Sequence, residues 1–374
     1  MGGIEGSAGE TELDSLTQFV LGAGVGVAVL GRRIGPRKAA ITGGLLGTLP
    51  DLDVVVPFED PVDAFILHRG PSHSFFVQAV VTPLFGEALL RLFKDLRGQR
   101  LQAYLAVYLC FATHALLDAL TVYGTRIFWP IWPDPVAIGS VFIIDPLYSL
   151  PLLILAVWAL CLRAWTPGFG RALTAMLVVT TAYLGWSLTA QQMAQARAQQ
   201  VLAETGVEPQ RLLAIPTPFN TLFWRAIAVD DERYLNLYLP VFGPAEGITV
   251  YSHPRGGDRI ACLDGNETLD KLAAFSKGFY RIDRQDGEII VSDLRMGLTP
   301  SYVFRFAIAR ETENGIEAMR AERRPTARTA QGDWDWLLAS LAGRTVERPV
   351  EAGAAVAVAS LPPDGAAAGA RAVC

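Results

Sequence analysis

Residues 172–190 read ALTAMLVVTTAYLGWSLTA and contain no charged side chain. A helix of about 20 apolar residues crosses the hydrocarbon core of a bilayer, so this stretch predicts a membrane-spanning helix. Comparable apolar stretches precede it at residues 15–31, 39–50, 74–86, 101–117 and 146–162. The stretch 39–50 is short and rich in glycine, which indicates a tilted, broken or re-entrant helix as an alternative to a full crossing. The pattern predicts an α-helical polytopic membrane domain of five or six helices.

The composition of the 374-residue chain agrees with a membrane protein. Hydrophobic residues make up 51% and charged residues 18%, whereas soluble domains have about 25% charged residues. The net charge of −5 gives no basic face for nucleic acid, so no nucleic-acid partner is expected. The four cysteines show no paired spacing, which argues against a disulfide framework and against a cysteine-based zinc site.

After the apolar stretches the composition changes, which predicts a second domain. Charge, glycine and aspartate increase between residues 216 and 347, and short alternating runs such as residues 288–291 indicate strands. The predicted organisation is an N-terminal extension at 1–14, a transmembrane helical domain with a metal site at 15–192, a linker at 193–215, a small α+β extracytoplasmic domain at 216–347 and a disordered Ala/Gly/Pro-rich tail at 348–374.

Basic residues between the apolar stretches predict the orientation in the membrane. They cluster at residues 32–38 and 91–100, and more thinly at 163–171. Lysine and arginine are enriched in cytoplasmic loops, so these three connections are predicted to be cytoplasmic. Alternation then places residues 51–73, residues 123–143 and everything after residue 190 outside the cytoplasm.

Charged and imidazole side chains also occur within or beside the apolar stretches, where each costs several kcal/mol and needs a partner or a purpose. They lie in Leu49-Pro50-Asp51-Leu52-Asp53, in His68-Arg69-Gly70-Pro71-Ser72-His73-Ser74 and in His114-Ala115-Leu116-Leu117-Asp118, and they include three of the four histidines of the chain. In the predicted topology all three segments reach the outer face. We therefore expect their side chains to meet in one outward-facing site.

Imidazole and carboxylate groups in this mixture suit zinc, iron or manganese, with zinc as the first choice. His114 and Asp118 are four residues apart and share a helix face, whereas Asp51 and Asp53 face one way if the segment after Pro50 is extended. A bound metal would activate a water molecule, and Asp53 or Asp118 would manage its proton. The expected ligands of one or two divalent transition metal ions are Asp51, Asp53, His68, His73, His114 and Asp118.

Other polar residues have alternative interpretations. Arg69 is a candidate catalytic residue that clamps a phosphate with its planar guanidinium, or else a helix-end arginine paired with Asp51 or Asp63. Asp145 precedes Pro146, and the preferred interpretation is a helix cap. A role at the metal is the alternative. A polar network that only locks helices together explains pairs of these residues, but not the gathering of three histidines.

In order and spacing, Leu13–Gln18, Pro50–Asp53, His68–Ser74 and His114-xxx-Asp118 resemble the YdjM-like family of inner-membrane metal-dependent hydrolases. Two later segments, at residues 216–225 and 275–295, resemble the longer members of the family. The resemblance therefore extends from residue 13 to about residue 310. It implies a relation to zinc phospholipase C and its nuclease relatives, and hence phosphoester hydrolysis. Family members often have histidine where this chain has Gln18, and an amide is a poorer metal ligand than imidazole.

The sequence thus predicts a multi-pass inner-membrane hydrolase that uses a metal-activated water on phosphoesters of an amphiphilic or lipid substrate, with the bilayer as partner. One alternative is a non-enzymatic ion-binding scaffold or transporter. Another is a metal-free lipid phosphatase of the type-2 phosphatidic acid phosphatase kind, which uses Pro-Ser-Gly-His and a later His-xxx-Asp. This chain has Pro71-Ser72-His73-Ser74 and lacks the basic motif upstream, so the metal interpretation is preferred.

Overall fold

The computed structural model describes residues 5–243, 248–313, 315–327 and 329–356. The chain divides into two compact units. The first consists of Met1–Pro57, His68–Leu188 and Pro218–Asn220, and the second of Phe58–Leu67, Thr189–Thr217 and Thr221–Cys374. Residues 1–4 of the predicted extension lie outside the described residues, and residues 5–14 form the first turns of a helix.

Helices build the N-terminal part of the chain. They are α1 (Glu5–Ile34), α2 (Pro36–Thr48), α3 (Pro61–Leu67), α4 (Phe75–Leu92), α5 (Arg100–Leu120), α6 (Pro146–Cys161) and α7 (Pro167–Glu204). Within the described residues, four segments are long and apolar enough to cross a membrane: Ser15–Ile34, Phe75–Leu92, Arg100–Leu120 and Pro167–Glu204. The apolar helix α6 is shorter, with 16 residues, and α2 has only 13.

Glycines bring α1 and α2 into backbone contact. A Cβ atom on Gly26 would lie 2.6 Å from the Gly43 Cα, and one on Gly47 would lie 2.9 Å from the Gly22 Cα. A side chain at these positions would force the helices apart, so the small-residue stripe sets their separation. The close approach fixes where the C-terminal end of α2 lies, and with it the carbonyl of Gly47.

Polar caps fix the starts of α4 and α6. Ser74 caps α4, because its Oγ accepts hydrogen bonds from the backbone N–H groups of Phe76 at 3.2 Å and Val77 at 3.4 Å. Asp145 caps α6 by accepting from the Leu147 N–H at 2.9 Å, and it also accepts from the Tyr183 hydroxyl at 2.6 Å. The interpretation of Asp145 as a helix cap is confirmed.

The second unit is rich in β-sheet. Its strands are β1 (Arg211–Pro216), β2 (Phe223–Val229), β3 (Arg233–Pro240), β4 (Val250–Pro254), β5 (Tyr280–Gln285), β6 (Glu288–Asp293), β7 (Gly297–Leu298), β8 (Ser301–Tyr302), β9 (Arg305–Thr312), β10 (Gly315–Arg323) and β11 (Ala355–Val356). Two antiparallel sheets have the strand orders β1-β2-β3-β4-β11 and β10-β9-β6-β5. Short helices α8 (Gly257–Cys262), α9 (Glu267–Phe275) and α10 (Asp333–Leu341) complete the unit.

Helix α3 belongs to this second unit although its neighbours in sequence belong to the first. Phe65 packs against the rings of Phe275 and Phe304, with centroids 4.7 and 4.2 Å away. Asp63 pairs with Lys271 of α9 at 2.9 Å.

Two predicted segments differ from the structure. The predicted linker at 193–215 is largely regular, because α7 continues to Glu204 through alanine and glutamine, which favour helix, and β1 begins at Arg211. The predicted start of the disordered tail, residue 348, lies too early in the chain. Arg348 is fully buried and β11 pairs with β4, so ion pairing holds a segment whose composition is typical of disorder. Residues 357–374 lie outside the described residues.

Candidate metal centre

The turn after α2 separates its two carboxylates. Residues Pro50–Val55 form a 3₁₀ turn, so the extended conformation considered for this segment is wrong. Proline is favoured at the first position of a helical turn, and three residues per turn point residues i and i+2 in different directions. Asp51 therefore contacts one group of side chains and Asp53 another.

Asp51, His73, His114 and Asp118 form a compact cluster in which one ligand atom from each lies within 4.8 Å of the others. The Nε2 atoms of His73 and His114 are 3.0 Å apart. His73 Nε2 lies 3.4 Å from Asp51 Oδ1 and 3.2 Å from Asp118 Oδ2. His114 Nε2 lies 3.4 Å from each of the same oxygens. The residues come from the turn after α2, the turn before α4 and the last turns of α5, as the three sequence segments predicted.

Hydrogen bonds at Nδ1 determine which imidazole nitrogens carry protons. His114 Nδ1 lies 2.6 Å from the carbonyl oxygen of Gly47, which can only accept, so Nδ1 is the donor. Ser72 donates its hydroxyl hydrogen to Asp53 at 2.7 Å, so His73 Nδ1 donates to Ser72 Oγ at 2.9 Å. In the neutral imidazoles both Nε2 atoms then carry lone pairs. Metal-binding histidines are usually held by such bonds at their other nitrogen.

The carboxylates add two more lone-pair atoms. Within the described residues, the buried Asp51 Oδ1 and Asp118 Oδ2 accept no hydrogen bond. Burial would raise the pKa of Asp51, but its interactions with His114 and His73 outweigh burial and hold the pKa below its ordinary value. Asp51 is therefore ionised at neutral pH, and when both imidazoles are neutral four acceptors face one another. A cation between them would remove the repulsion.

The donor set fits a transition metal. In a tetrahedral site with bonds of about 2.0–2.1 Å, neighbouring ligand atoms are about 3.3–3.4 Å apart. Five of the six ligand-atom distances in the cluster run from 3.0 to 3.4 Å, and the sixth, between Asp51 and Asp118, is within 4.8 Å. Two imidazoles with two carboxylates suit zinc, iron or manganese better than calcium, which prefers oxygen.

Asp53 and His68, the other two predicted ligands, lie outside this group of four. His68 Nδ1 is 2.8 Å from Asp53 Oδ1, and the Asp53 Oδ2 accepts from Ser72 and, at 3.0 Å, from the Arg69 backbone N–H. Burial would raise the pKa of Asp53, but His68 and then His73 lower it below its ordinary value. In this arrangement Asp53 orients His73 through Ser72. Metal ligation by Asp53 or His68 stays a prediction.

Arg69 is buried beside Asp118. Its Nε lies 3.3 Å from Asp118 Oδ2, its NH1 donates to Thr121 at 3.4 Å, and its guanidinium lies 5.2 Å from the Tyr123 ring centroid. Its φ of +60° is unusual for a residue other than glycine, and such backbone strain is common at functional sites. Arg69 pairs with Asp118, and a pair with Asp51 or Asp63 stays a prediction. A catalytic role stays a prediction.

Gln18 is part of the centre although sequence reasoning ranked it as a poor ligand. It is 1% exposed, and its Nε2 donates to Asp118 Oδ1 at 2.7 Å. This bond engages one oxygen of Asp118 and leaves Oδ2 facing the imidazoles. A buried glutamine in a membrane-spanning segment needs a hydrogen-bond partner. This requirement is the feature of the sequence from which a role for Gln18 near the cluster could have been predicted.

Residues 13–194 match the family model described as YdjM inner membrane protein. The resemblance to the YdjM family is confirmed. The YdjM-like region contains the whole four-residue cluster and Gln18, and the inner-membrane character of this family agrees with the apolar helices. No curated protein and no solved structure has significant similarity to the chain. The match ends at residue 194, so the resemblance expected up to about residue 310 stays a prediction.

Proposed function

We propose that this protein is a membrane-bound hydrolase that cleaves phosphoesters with a divalent transition metal held by Asp51, His73, His114 and Asp118. The observation that carries the proposal is the convergence of four lone-pair atoms in one cluster. When bound, the metal would supply Lewis acidity and lower the pKa of a water molecule. The protein's own residues orient the ligands and balance charge: Arg69 is paired with Asp118, and Asp53 can accept a proton.

An amphiphilic substrate is supported by the surroundings of Asp51. The Asp51 side chain is 20% exposed, whereas both imidazoles of the cluster are buried, so Asp51 marks the open side. The residues beside it are apolar and exposed, with Leu52 at 55%, Val54 at 65% and Val55 at 74%. A ligand with a polar phosphoester and an apolar tail matches this combination.

The burial of the histidines disfavours the metal-free phosphatase. That mechanism needs an imidazole nitrogen with open space for attack on phosphorus. His73 and His114 are both 0% exposed, and their Nε2 atoms face each other and two carboxylates. A phosphohistidine at either position would require the cluster to open.

The number of protein ligands gives specific support to a second candidate, the ion-binding scaffold. Structural zinc sites have four protein ligands, whereas catalytic sites keep a position for water. Four residues converge here, so tetrahedral zinc would be closed, and a five- or six-coordinate ion would keep open positions. X-ray absorption on the metal-loaded protein distinguishes the two. We expect more than four ligands for the hydrolase, and four for the scaffold.

The activity test uses the purified full-length protein, stripped with chelator and reloaded with zinc, manganese or iron. We expect turnover in a panel of lipid phosphomonoesters and phosphodiesters for the reloaded wild type, and none for the stripped protein or for His114→Ala. His253→Ala, a histidine of the second unit, is the matched control and should retain turnover. Metal rebinding without hydrolysis of any panel member would contradict the hydrolase and favour the scaffold.

For the orientation, we propose that the C-terminal unit lies outside the cytoplasm, on the basis of the basic connections in the sequence. A reporter that is active only in the periplasm should be active when fused near residue 200 and inactive when fused near Arg97. The reverse pattern would place the C-terminal unit in the cytoplasm.

A further inference from the structure

The first unit also contains a groove with basic and apolar lining, at the other end of α1 from the candidate metal centre. Gln18 and Arg32 are 14 positions apart on this helix, which corresponds to about 21 Å. A groove of about 850 Å³ lies there, between α1 and α7, and Gln102 of α5 also lines it. It shares no lining residue with the metal centre.

The mouth of the groove is basic. Arg32 and Arg33 line it, and within the described residues neither guanidinium has a carboxylate partner. The Arg32 guanidinium lies 5.3 Å from the ring centroid of Trp165, which also lines the groove. A Cβ atom on Gly31 would lie 2.9 Å from this indole, and one on Gly170 would lie 2.7 Å away. The two glycines thus make room for a tryptophan at the mouth.

The wall of the groove below this mouth is mostly apolar. Along α7 the wall is formed mainly by Gly170, Leu173, Leu177, Val178 and Ala182, and the side chains of Thr174 and Thr181 also line it. The twelve residue steps from Gly170 to Ala182 correspond to about 18 Å along the helix, slightly more than half of the roughly 30 Å hydrocarbon core. The groove is therefore about as deep as one leaflet of a bilayer.

We propose that this groove binds one anionic phospholipid, with its phosphate at Arg32 and Arg33 and one acyl chain along α7. Two unpaired cations at the end of an apolar groove match a phosphate joined to a hydrocarbon chain, and basic pockets between membrane helices bind acidic head groups. A lipid bound in this way would place Trp165 between its head group and its chain, a level at which tryptophan is enriched in membrane proteins. The proposal is independent of the chemistry at the metal centre.

The test is a lipid titration of the purified full-length protein in detergent, followed by native mass spectrometry. We expect one molecule of dioleoyl phosphatidylglycerol to bind about ten- to thirty-fold more tightly than dioleoyl phosphatidylcholine, because two cations contribute. Arg32→Gln/Arg33→Gln should abolish this preference. The matched control Arg163→Gln/Arg171→Gln, which removes two charges outside the groove, should retain it. Val178→Trp, which fills the groove without changing charge, should weaken phosphatidylglycerol binding at least ten-fold.

Four outcomes would overturn the proposal. Wild-type protein that binds the two lipids equally, a measurement that needs no variant, would exclude a site for acidic head groups. An unchanged preference in Arg32→Gln/Arg33→Gln would place such a site elsewhere. Displacement of phosphatidylglycerol by an equal concentration of inorganic phosphate would show that the chain is not recognised. A dimer that dissociates on Val178→Trp substitution would show that the groove holds a second copy of the protein.

Discussion

Gln18 contacts the metal centre through a single hydrogen bond, and this bond tests how the cluster is oriented. Its Nε2 donates to Asp118 Oδ1 at 2.7 Å, and both residues are buried. Removing such a bond behind a metal ligand costs about 10- to 100-fold in metal affinity.

We therefore expect Gln18→Leu to lower the metal affinity by about 10- to 100-fold, measured by competition with a chromophoric chelator. The control is Gln191→Leu, which removes another buried glutamine whose Nε2 donates to the Ala214 carbonyl at 2.9 Å. It should leave the affinity unchanged. Equal affinity in wild type and Gln18→Leu would contradict the role assigned to this bond.

At the scale of elements, the α1–α2 contact determines where the Gly47 carbonyl meets His114. The Cβ of Gly22→Ala would overlap the carbonyl of Gly43 and would lie 2.8 Å from the Gly47 Cα. Overpacking of this kind costs about 1–3 kcal/mol. We expect Gly22→Ala to lower the midpoint of thermal unfolding in detergent by a few degrees, and to weaken metal retention as α2 moves.

Gly185→Ala on α7 is the matched control, because no neighbouring atom lies within 4 Å of the added Cβ. Alanine has the higher helix propensity, so this variant should be neutral or more stable by up to about 1 kcal/mol. A Gly22→Ala protein with unchanged stability and metal content would show that the helices can separate without affecting the centre.

The segment Pro349–Ala354 is held to the second unit by Glu351. Asn236 and His253 donate to its Oε1 at 2.6 and 2.7 Å, and Tyr238 and Arg348 donate to its Oε2 at 2.6 and 2.7 Å. Burial would raise the pKa of Glu351, but the hydrogen bond from His253, that from Tyr238 and the charge of Arg348 lower it to about 2. The ordinary value is 4.5.

A carboxyl group whose pKa is lower in the folded protein stabilises the fold at pH values above its unfolded-state pKa. This stabilisation is lost as the pH falls toward the folded-state pKa. Glu351 should therefore contribute its full stabilisation, about 3 kcal/mol, above about pH 4.5, and lose it as the pH falls toward 2. We expect the unfolding free energy of Glu351→Gln, measured by tryptophan fluorescence of the full chain, to fall less than that of wild type over this range. Parallel pH curves for the two proteins would contradict the assignment.

At the scale of the whole molecule, the candidate metal centre could be located from the sequence because buried charge in an apolar helix is costly. His114, Asp118 and His73 could be grouped for that reason from the sequence alone. The division of Asp51 from Asp53 could not be predicted, since it depends on a 3₁₀ turn that Pro50 permits but does not require. The buried Arg348 and Glu351 were hidden in a segment whose composition resembles a disordered tail.

The fold was predictable to a similar depth. Apolar stretches identified the four helices that are long and apolar enough to cross a membrane, whereas the predicted count of five or six spans stays a prediction. Alternating runs identified strands such as β6, because helices and strands both follow from the spacing of buried side chains. The assignment of α3 to the second unit could not be foreseen. It depends on Phe65 meeting aromatic residues more than 200 positions later in the chain, and no local pattern encodes such a contact.

The most direct test of the central claim is the metal content of the purified full-length protein, measured by inductively coupled plasma mass spectrometry after growth with zinc, iron and manganese. We expect about one equivalent of transition metal in wild type, less than about a tenth in His73→Ala and His114→Ala, and about one in His253→Ala. His68→Ala should keep the metal with lower affinity, because the His68 ring contacts Asp53 and lies outside the cluster of four. Metal-free wild type, or a full equivalent retained in both His73→Ala and His114→Ala, would contradict the centre described here.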